Sequence, residues 1–361
     1  MASLVSTLPT KTEKYPPSSN ENLLFERIQK SRMLITQPVE APQDVLYISE
    51  NEKKSILCTL GNISLIQGQA KSRKTFLLSF ICTALLRKKE FLKFRGKLPS
   101  EKSKIIYFDT EQGLYHAKRV QERIYDLSGI SKAVENDNIQ YYRLRSYNTK
   151  ERIEIIEKVI YSTLDLGFVI IDGIRDLVTD INNADESTKV TGMLMKWSEE
   201  RKIHILCVLH ENKGDRNSRG HIGTELQNKA ESVIRVSRDP ENKSHSKVEP
   251  VYLRDMDFED FFFEIMEDGI PEVVTGNVPK QTYKRPEDME ETLHRNWIKE
   301  VFKVGNEFSQ TKYIEELKKV AKIYNVRIGY SNLRDFVPYH LDHGFIKDIG
   351  KGKTFKLCLN E

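Results

Sequence analysis

The sequence has little cysteine and no long apolar run. Its four cysteines are not spaced as a Cys-x-x-Cys pair, so we expect buried free thiols in a reducing compartment. No apolar stretch is long enough to cross a bilayer, and the first twenty residues lack the pattern of a secretory signal. These absences predict a cytoplasmic protein without a membrane partner.

Neither sign of charge is in large excess. The 361 residues carry 57 Lys and Arg against 53 Asp and Glu, for a formal net charge of +4. Such a mildly basic balance does not by itself indicate a nucleic-acid partner, so basic patches have to be argued locally. The chain length suits one large domain with a smaller one.

Shifts in composition divide the chain into five segments. Residues 1–20 are rich in Ser, Thr, Pro and Lys, which predicts disorder. Residues 21–44 predict a short helix and a linker, and this helix must dock either on its own domain or on a neighbouring subunit. Residues 45–267 alternate strands and helices, and residues 268–286 form a Gly- and Pro-containing linker. Residues 287–361 predict a small domain of three helices, near 287–303, 312–324 and 331–343, and a hairpin.

Continuous apolar strands between helices characterise the large segment. This pattern predicts an α/β fold with a mostly parallel sheet covered by helices on both faces. Three further strands separated by short polar turns predict antiparallel additions at one edge of the sheet. The predicted core strands are Ile63–Gln67, Lys104–Phe108, Ile139–Leu144, Phe168–Ile171 and Ile203–Leu209.

The loop GQAKSRKT joins the first of these strands to an apolar helix. It matches the phosphate-binding pattern G-x-x-x-x-G-K-[ST] except that Arg73 replaces the second glycine. Backbone N–H groups at a helix N-terminus form an anion site, so we expect a nucleoside triphosphate here. Lys74 would neutralise the β and γ phosphates, and Thr75 would hold Mg²⁺. The residues predicted to bind nucleotide are Gly68, Gln69, Ala70, Lys71, Ser72, Arg73, Lys74 and Thr75.

Two carboxylates mark the ends of other predicted strands. Asp172 closes the buried run FVIID and is expected to hold Mg²⁺ through a water. Gly173 follows it, whereas AAA+ ATPases usually place the catalytic Glu at this position. Glu111, in YFDTEQG, is therefore the candidate base, with Asp109 as the rival. We expect their strand to lie beside the strand of the phosphate loop. The alternative is that this acidic turn is only a solvated strand end.

Polar residues follow the last core strand. His210 ends the strand and could touch the γ-phosphate or simply cap the strand. Lys213, Arg216 and Arg219 follow among glycines. Such a loop is either solvated, or it contacts nucleic-acid phosphates or the site of a neighbouring subunit.

The order GQAKSRKT, YFDTEQG, FVIIDG, VLHENK and RGHIG resembles the RecA-like ATPases of the DnaB and RepA helicase type. The resemblance is strongest to those carried on bacterial plasmids and mobile elements, and it covers roughly residues 45–267. It implies a ring, usually a hexamer, with Mg-ATP bound between subunits and DNA passing through the middle. It also implies that Glu111 activates water, that His210 senses the γ-phosphate, and that Arg219 acts as an arginine finger in trans. Lys213 and Arg216 would contact DNA or replace Arg219 in that role.

The C-terminal segment is similar to a winged helix. Asn332, Arg334, Tyr339 and His340 would then lie on or near the third helix, where they could reach a groove or phosphates. Lys351 and Lys353 would form a basic hairpin tip that contacts DNA. Pro338 should kink or shorten the third helix. Winged helices also serve as protein-contact modules, which remains the alternative.

Three functions fit these patterns. The first is a hexameric ATPase that unwinds, translocates on or loads onto DNA during replication or mobilisation of a mobile element. The second is an ATP-gated DNA-binding regulator with little or no turnover. The third is a structural ATP-binding protein in which Arg73 has silenced hydrolysis. DNA-stimulated ATPase activity would separate the first from the other two.

Overall fold

The computed structural model describes most of the chain in two units. Residues Met1–Gln43 form the first unit and residues Asp44–Glu361 the second. The described residues are 19–50, 53–211, 220–267, 269–274, 281–283, 285–324, 326–350 and 357–359. In the first unit, helix α1 (Ser19–Ser31) begins two residues before the predicted helix. The predicted disorder of residues 1–18 lies outside the described residues.

The second unit begins with an alternation of strands and helices. Its strands are β1 (Asp44–Glu50), β2 (Lys53–Thr59), β3 (Ile63–Gly68), β4 (Glu90–Phe91), β5 (Phe94–Gly96), β6 (Lys104–Asp109), β7 (Ile139–Arg143), β8 (Leu166–Asp172), β9 (His204–His210), β10 (Ser232–Arg238), β11 (His245–Leu253), β12 (Phe261–Ile265) and β13 (Pro271–Val274). Its helices are α2 (Lys74–Arg87), α3 (Leu114–Ser128), α4 (Thr149–Ser162), α5 (Ala184–Arg201) and α6 (Gly220–Lys229).

A nine-stranded sheet organises these elements, in the order β13-β12-β11-β10-β3-β9-β8-β6-β7. The strands from β10 to β7 in this order pair in parallel, whereas β11, β12 and β13 are antiparallel additions at the β10 side. Strands β3 and β8 are buried along their whole length, because helices cover both faces of the sheet. The predicted α/β class is therefore confirmed. Of the three strands predicted as antiparallel additions, the last two are antiparallel (β11 and β12), whereas the first is β10, which pairs in parallel with β3. The further antiparallel strand β13 lies within residues 268–286, so the prediction that this whole segment is a linker is wrong.

Two apolar cores lie on opposite faces of this sheet. One contains alternate residues of β3 and β8, such as Ile66 and Phe168, together with helices α2 and α3. The other contains the intervening residues, such as Leu65 and Val169, together with α4 and α5. This alternation follows from the two-residue period of a strand, which sends successive side chains to opposite faces.

Two features of the fold differ from the sequence prediction. Strand β6 does not lie beside β3, because β9 and β8 stand between them. A small antiparallel sheet of order β2-β1-β5-β4 was also not predicted. Strands β4 and β5 have only two and three residues, too few to show an apolar period.

The C-terminal residues of the second unit have their own apolar core. Their elements are β14 (Gln281–Thr282), α7 (Glu291–Phe302), α8 (Gln310–Ile323), β15 (Val326–Arg327), α9 (Tyr330–Leu333), α10 (Phe336–Asp342), β16 (Ile346–Asp348) and β17 (Leu357–Leu359). Strands β16 and β17 pair antiparallel, so the predicted hairpin is present. The single predicted third helix is two short helices, α9 and α10. Pro338 lies in the first turn of α10, where it removes no intrahelical hydrogen bond.

Polar groups also contribute to this core. Tyr313 donates a hydrogen bond to His340 Nδ1 (2.9 Å), and His340 Nε2 donates to His294 Nδ1 (2.9 Å). His294 in turn donates to the Pro286 carbonyl at 2.9 Å. His340 is fully buried, so the expectation that it reaches a nucleic-acid groove is wrong.

The structure bears on the predicted free thiols and on membrane-spanning segments. Three cysteines, Cys58, Cys82 and Cys207, are buried free thiols as predicted. Within the described ranges, no helix combines the length and the apolar character needed to span a bilayer.

Candidate nucleotide-binding site

The phosphate loop leaves β3 at Gly68 and enters α2 at Lys74. A Cβ atom at Gly68 would lie 2.1 Å from the Val236 carbonyl oxygen, so this position requires glycine. Lys71 (φ 64°) and Arg73 (φ 75°) both have left-handed backbone conformations, which favour glycine. The loop thus keeps a glycine-type backbone without glycine at these two positions.

Arg73 is attached to the turn between β10 and β11. Its guanidinium donates to the Ser244 carbonyl and lies 3.5 Å from Ser246 Oγ. Arg238 holds the same loop from outside by donating from Nε to the Lys71 carbonyl at 2.9 Å. These two arginine contacts fix both strained residues, which explains how the loop keeps its shape without the second glycine.

Lys74 turns back onto its own loop. Its ammonium donates to the carbonyls of Gly68 (2.7 Å) and Gln69 (2.9 Å) and to His210 Nδ1 (3.1 Å). Burial lowers the pKa of Lys74 to about 8, although Asp172 and other nearby carboxylates partly oppose the shift. The ammonium therefore lies inside the loop, where phosphate oxygens could replace the carbonyls as its acceptors.

Asp172 and Thr75 meet across the site. Thr75 Oγ1 donates to Asp172 Oδ2 at 3.1 Å, and Tyr107 donates to the same oxygen at 2.7 Å. Burial raises the pKa of Asp172 to about 6. A buried carboxylate whose two neighbouring donors are hydroxyls provides the hard oxygen ligands that Mg²⁺ prefers. The donor set fits a magnesium ion, which Thr75 and Asp172 would hold.

The two carboxylates of the acidic turn have different surroundings. Asp109 is fully buried and accepts from the backbone N–H groups of Glu111 (3.0 Å) and Gln112 (2.8 Å) and from the Tyr141 hydroxyl (2.6 Å). These bonds occupy it as a structural cap of the turn. Glu111 is 43% exposed at its side chain and extends toward His210. Of the two candidates for the base, only Glu111 is accessible from the crevice.

Gly173 leaves room for Glu111. Its φ is +109°, and a Cβ atom there would lie 2.2 Å from Thr110 Oγ1 and 3.0 Å from Glu111 Cγ. The space that a side chain after Asp172 would need is thus already occupied by the turn that carries Glu111. This crowding accounts for the missing Glu directly after Asp172.

His210 links the lysine to the glutamate. Gly68 and His210 are register partners on the adjacent strands β3 and β9. Lys74 donates to His210 Nδ1, so Nε2 carries the ring proton and faces the Glu111 carboxylate at 3.4 Å. This proximity to His210 lowers the pKa of Glu111. Glu111 comes within reach although β6 is distant from β3, because all the parallel strands end at one edge of the sheet.

The structure describes only some of the other predicted residues. Lys213, Arg216, Arg219, Lys351 and Lys353 lie outside the described residues. Arg334 is exposed and Asn332 is half-buried, both in the C-terminal region. Gln69, Ala70 and Lys71 are exposed on the loop, and Ser72 is buried.

Three residues that shape the site were not predicted from the sequence. Tyr107 lies within the apolar run KIIYF, and a tyrosine in a buried strand is a signal that its hydroxyl needs a partner. Arg238 and Ser244 come from the β10–β11 hairpin, more than 160 residues after the loop. No local pattern connects a hairpin to a loop that distant in sequence.

Part of the chain is similar to known proteins. A family model described as an AAA domain matches residues 55–216, somewhat less than half of the chain. Among curated proteins, none matches the sequence.

Two solved structures have some similarity to the fold of this chain. The KaiC-like protein of the hyperthermophilic archaeon Pyrococcus horikoshii is 16% identical and has a TM-score of 0.43, covering 66% of this chain and 100% of its own. The RadB recombinase is 14% identical with a TM-score of 0.43, covering 60% of this chain and 92% of its own.

The loop, the opposing Asp172 and the family match define a class. Residues 55–216 are similar to the AAA domain family and carry the phosphate loop and the opposing carboxylate of a P-loop NTPase.

Proposed function

We propose that this protein hydrolyses Mg-ATP in a site between subunits of a ring and uses the energy on DNA. The ring would be a hexamer of the DnaB and RepA type that unwinds, translocates on or loads onto DNA. Its role would be in replication or mobilisation of a plasmid or mobile element. The observation that carries the proposal is the chain from Lys74 to His210 to Glu111, with distances of 3.1 and 3.4 Å.

The chemistry follows from what each side chain can do. Mg-ATP, when bound, would supply the phosphoanhydride bond that is hydrolysed, and its metal ion would withdraw negative charge from the phosphates. Lys74 neutralises negative charge at the phosphates, and Thr75 and Asp172 hold the metal. Glu111 is ionised, because its pKa is lowered, and so can accept a proton from a water in the crevice.

His210 is suited to report what happens at Lys74. Its Nδ1 accepts from the ammonium only while Lys74 points into the loop. When Lys74 turns toward phosphates, that bond is lost and His210 can rotate away from Glu111. Since His210 is followed within three residues by Lys213, we propose that this rotation is passed to a DNA-contacting loop that also carries Arg216 and Arg219.

The C-terminal region is proposed as a second DNA contact. Residues 287–361 would form a winged-helix domain, with Asn332, Arg334, Lys351 and Lys353 near phosphates. Support comes from the α7, α8 and α10 helices followed by the β16–β17 hairpin. Removal of the four side chains should weaken duplex binding more at low salt than at high salt.

The first test is steady-state ATP hydrolysis by the full chain with and without single-stranded DNA. The proposal predicts turnover that rises with DNA and disappears in Lys74→Ala. Glu111→Gln should lower kcat by at least about a hundredfold while ATP still binds, because the amide cannot accept the proton. Asp109→Asn is unsuitable as a control because it disrupts the turn, so Glu122→Gln, on the far part of α3, serves instead.

The results separate the candidate functions. Full turnover in Glu111→Gln would refute the assignment of the base. ATP binding without turnover, together with DNA affinity that depends on nucleotide, would favour the ATP-gated regulator. The strained and anchored Arg73 is the observation that supports this second function.

A further inference from the structure

A buried polar bridge joins the strand that enters the phosphate loop to helix α6. We define the polar bridge as Gln67, Glu211, Gln227 and Arg235. Gln67 Nε2 donates to Glu211 Oε1 at 3.0 Å, and Gln227 Nε2 donates to Gln67 Oε1 at 2.7 Å. Arg235 Nε donates to Glu211 Oε1 at 2.5 Å. The bridge therefore links the ends of β3 and β9 to β10 and to α6.

Gln and Glu side chains are seldom buried in a protein interior. Gln67 is fully buried and Glu211 is 8% exposed. Arg235 is only partly buried and also pairs with Glu249 at 3.3 Å, but an ion pair at a largely buried carboxylate still contributes little net stability compared with apolar residues of the same volume, because the charges lose hydration. Loss of one partner is nevertheless costly. Stability alone is thus a weak reason for this arrangement, whereas a geometry that must be kept is a strong one.

The bridge meets the nucleotide site at one carbonyl group. The Gly68 carbonyl accepts from Lys74 Nζ at 2.7 Å and also from the Glu211 backbone N–H at 3.2 Å. Lys74 gives up this carbonyl if it turns toward phosphates. The Gly68 carbonyl then accepts from the Glu211 N–H alone, and this bond, the longer of the two, can shorten.

Glu211 contacts both the phosphate loop and the rest of the polar bridge. Its backbone bonds the first residue of the phosphate loop, and its carboxylate bonds Gln67 and Arg235. A shift of the Glu211 backbone toward Gly68 moves the carboxylate and, through Gln67, the amide that Gln227 holds. Two side-chain hydrogen bonds, from Gln227 to Gln67 and from Gln67 to Glu211, therefore connect helix α6 to Glu211.

We propose that the polar bridge transmits the occupancy of the nucleotide site to helix α6. Gln67 and Gln227 are positioning residues in this device, since they act through Glu211 and do not touch the nucleotide. The inference rests on nucleotide binding at Gly68–Thr75 but requires neither hydrolysis nor DNA. It identifies α6 as the helix that responds to bound nucleotide.

The test is amide hydrogen exchange of α6 in the full chain, without nucleotide and with a saturating non-hydrolysable Mg-ATP analogue. We expect nucleotide to slow exchange in the Gly220–Lys229 peptide by at least about threefold, as even a weak coupling would. Gln227→Leu keeps the side-chain volume but removes the donor to Gln67. It should abolish the nucleotide effect on α6 while the affinity for the analogue, measured by calorimetry, stays within about twofold.

A matched control lies at the next position. Asn228 is exposed on α6, so Asn228→Leu makes a similar change without touching the bridge and should keep the wild-type response. If Gln227→Leu folds poorly, Gln227→Ala tests the same bond with less crowding. A purely structural role would change exchange equally with and without nucleotide, and that result would overturn the inference.

The outcomes also distinguish this inference from the proposed function. Wild-type α6 that exchanges at the same rate in both states, although the analogue binds, would refute the bridge as a coupling device. Failure of the wild type to bind the analogue would refute nucleotide binding and the inference together. Absence of DNA-stimulated turnover, with the α6 response present, would refute only the DNA motor.

Discussion

Replacing Asp172 by Asn should make the nucleotide-free protein more stable while removing the carboxylate proposed to hold the metal. Burial raises the pKa of the Asp172 carboxyl to about 6, whereas an unfolded aspartate titrates near 4. A difference of about 2 in pKa corresponds to about 3 kcal/mol that the ionised carboxylate costs the folded state at neutral pH. An amide oxygen accepts from Tyr107 and Thr75 less strongly than a carboxylate, which offsets about 1 kcal/mol. We expect a net gain of about 1 to 2 kcal/mol.

The pH dependence provides the sharper test. A raised folded-state pKa means that the protonated form is favoured on folding, so the cost of the charge is absent near pH 4 and complete above about pH 6. The advantage of Asp172→Asn should therefore be full near pH 8 and much smaller near pH 5.

Urea unfolding of the nucleotide-free chain measures this advantage at both pH values. Asp255→Asn is the control, because Asp255 is exposed and the substitution removes the same charge. An Asp172→Asn variant that is no more stable than the wild type near pH 8 would refute the reasoning. An advantage that does not change with pH would contradict it equally.

Two further predictions concern the backbone of the site. Gly173→Ala should lower kcat and cost roughly 2 kcal/mol or more in the free energy of unfolding, because its Cβ would meet Thr110 and displace Glu111; wild-type kinetics would contradict this. Arg73→Ala should be less stable to urea than Arg73→Gly by about 1 kcal/mol, because both lose the anchor but only alanine keeps the strain at φ 75°. Equal stability of the two variants would show that the loop relaxes out of the left-handed conformation.

Local patterns predicted much of the site and the fold class. The phosphate loop and Asp172 were recognisable because each is a short motif at the end of an apolar strand. Glu111 and His210 could be placed at the same edge of the sheet because parallel strands share one direction. Their roles in hydrolysis stay predictions.

Long-range arrangement was harder to predict. The order of parallel strands is set by crossover connections, so the separation of β6 from β3 by β9 and β8 has no local signal. The burial of His340 depends on hydrogen-bond partners 27 and 46 residues away along the chain. The anchoring of Arg73 depends on a hairpin residue 171 positions later.

The position of Lys74 has a consequence for ligand discrimination. Two loop carbonyls already solvate its ammonium, and a charge-assisted hydrogen bond of this kind contributes about 1.5 to 3 kcal/mol. An anion that recruits Lys74 must replace both acceptors at once. A ligand with a single small anionic group replaces them poorly, whereas a polyphosphate presents several oxygens together. The loop is therefore expected to favour polyphosphates over single small anions such as inorganic phosphate.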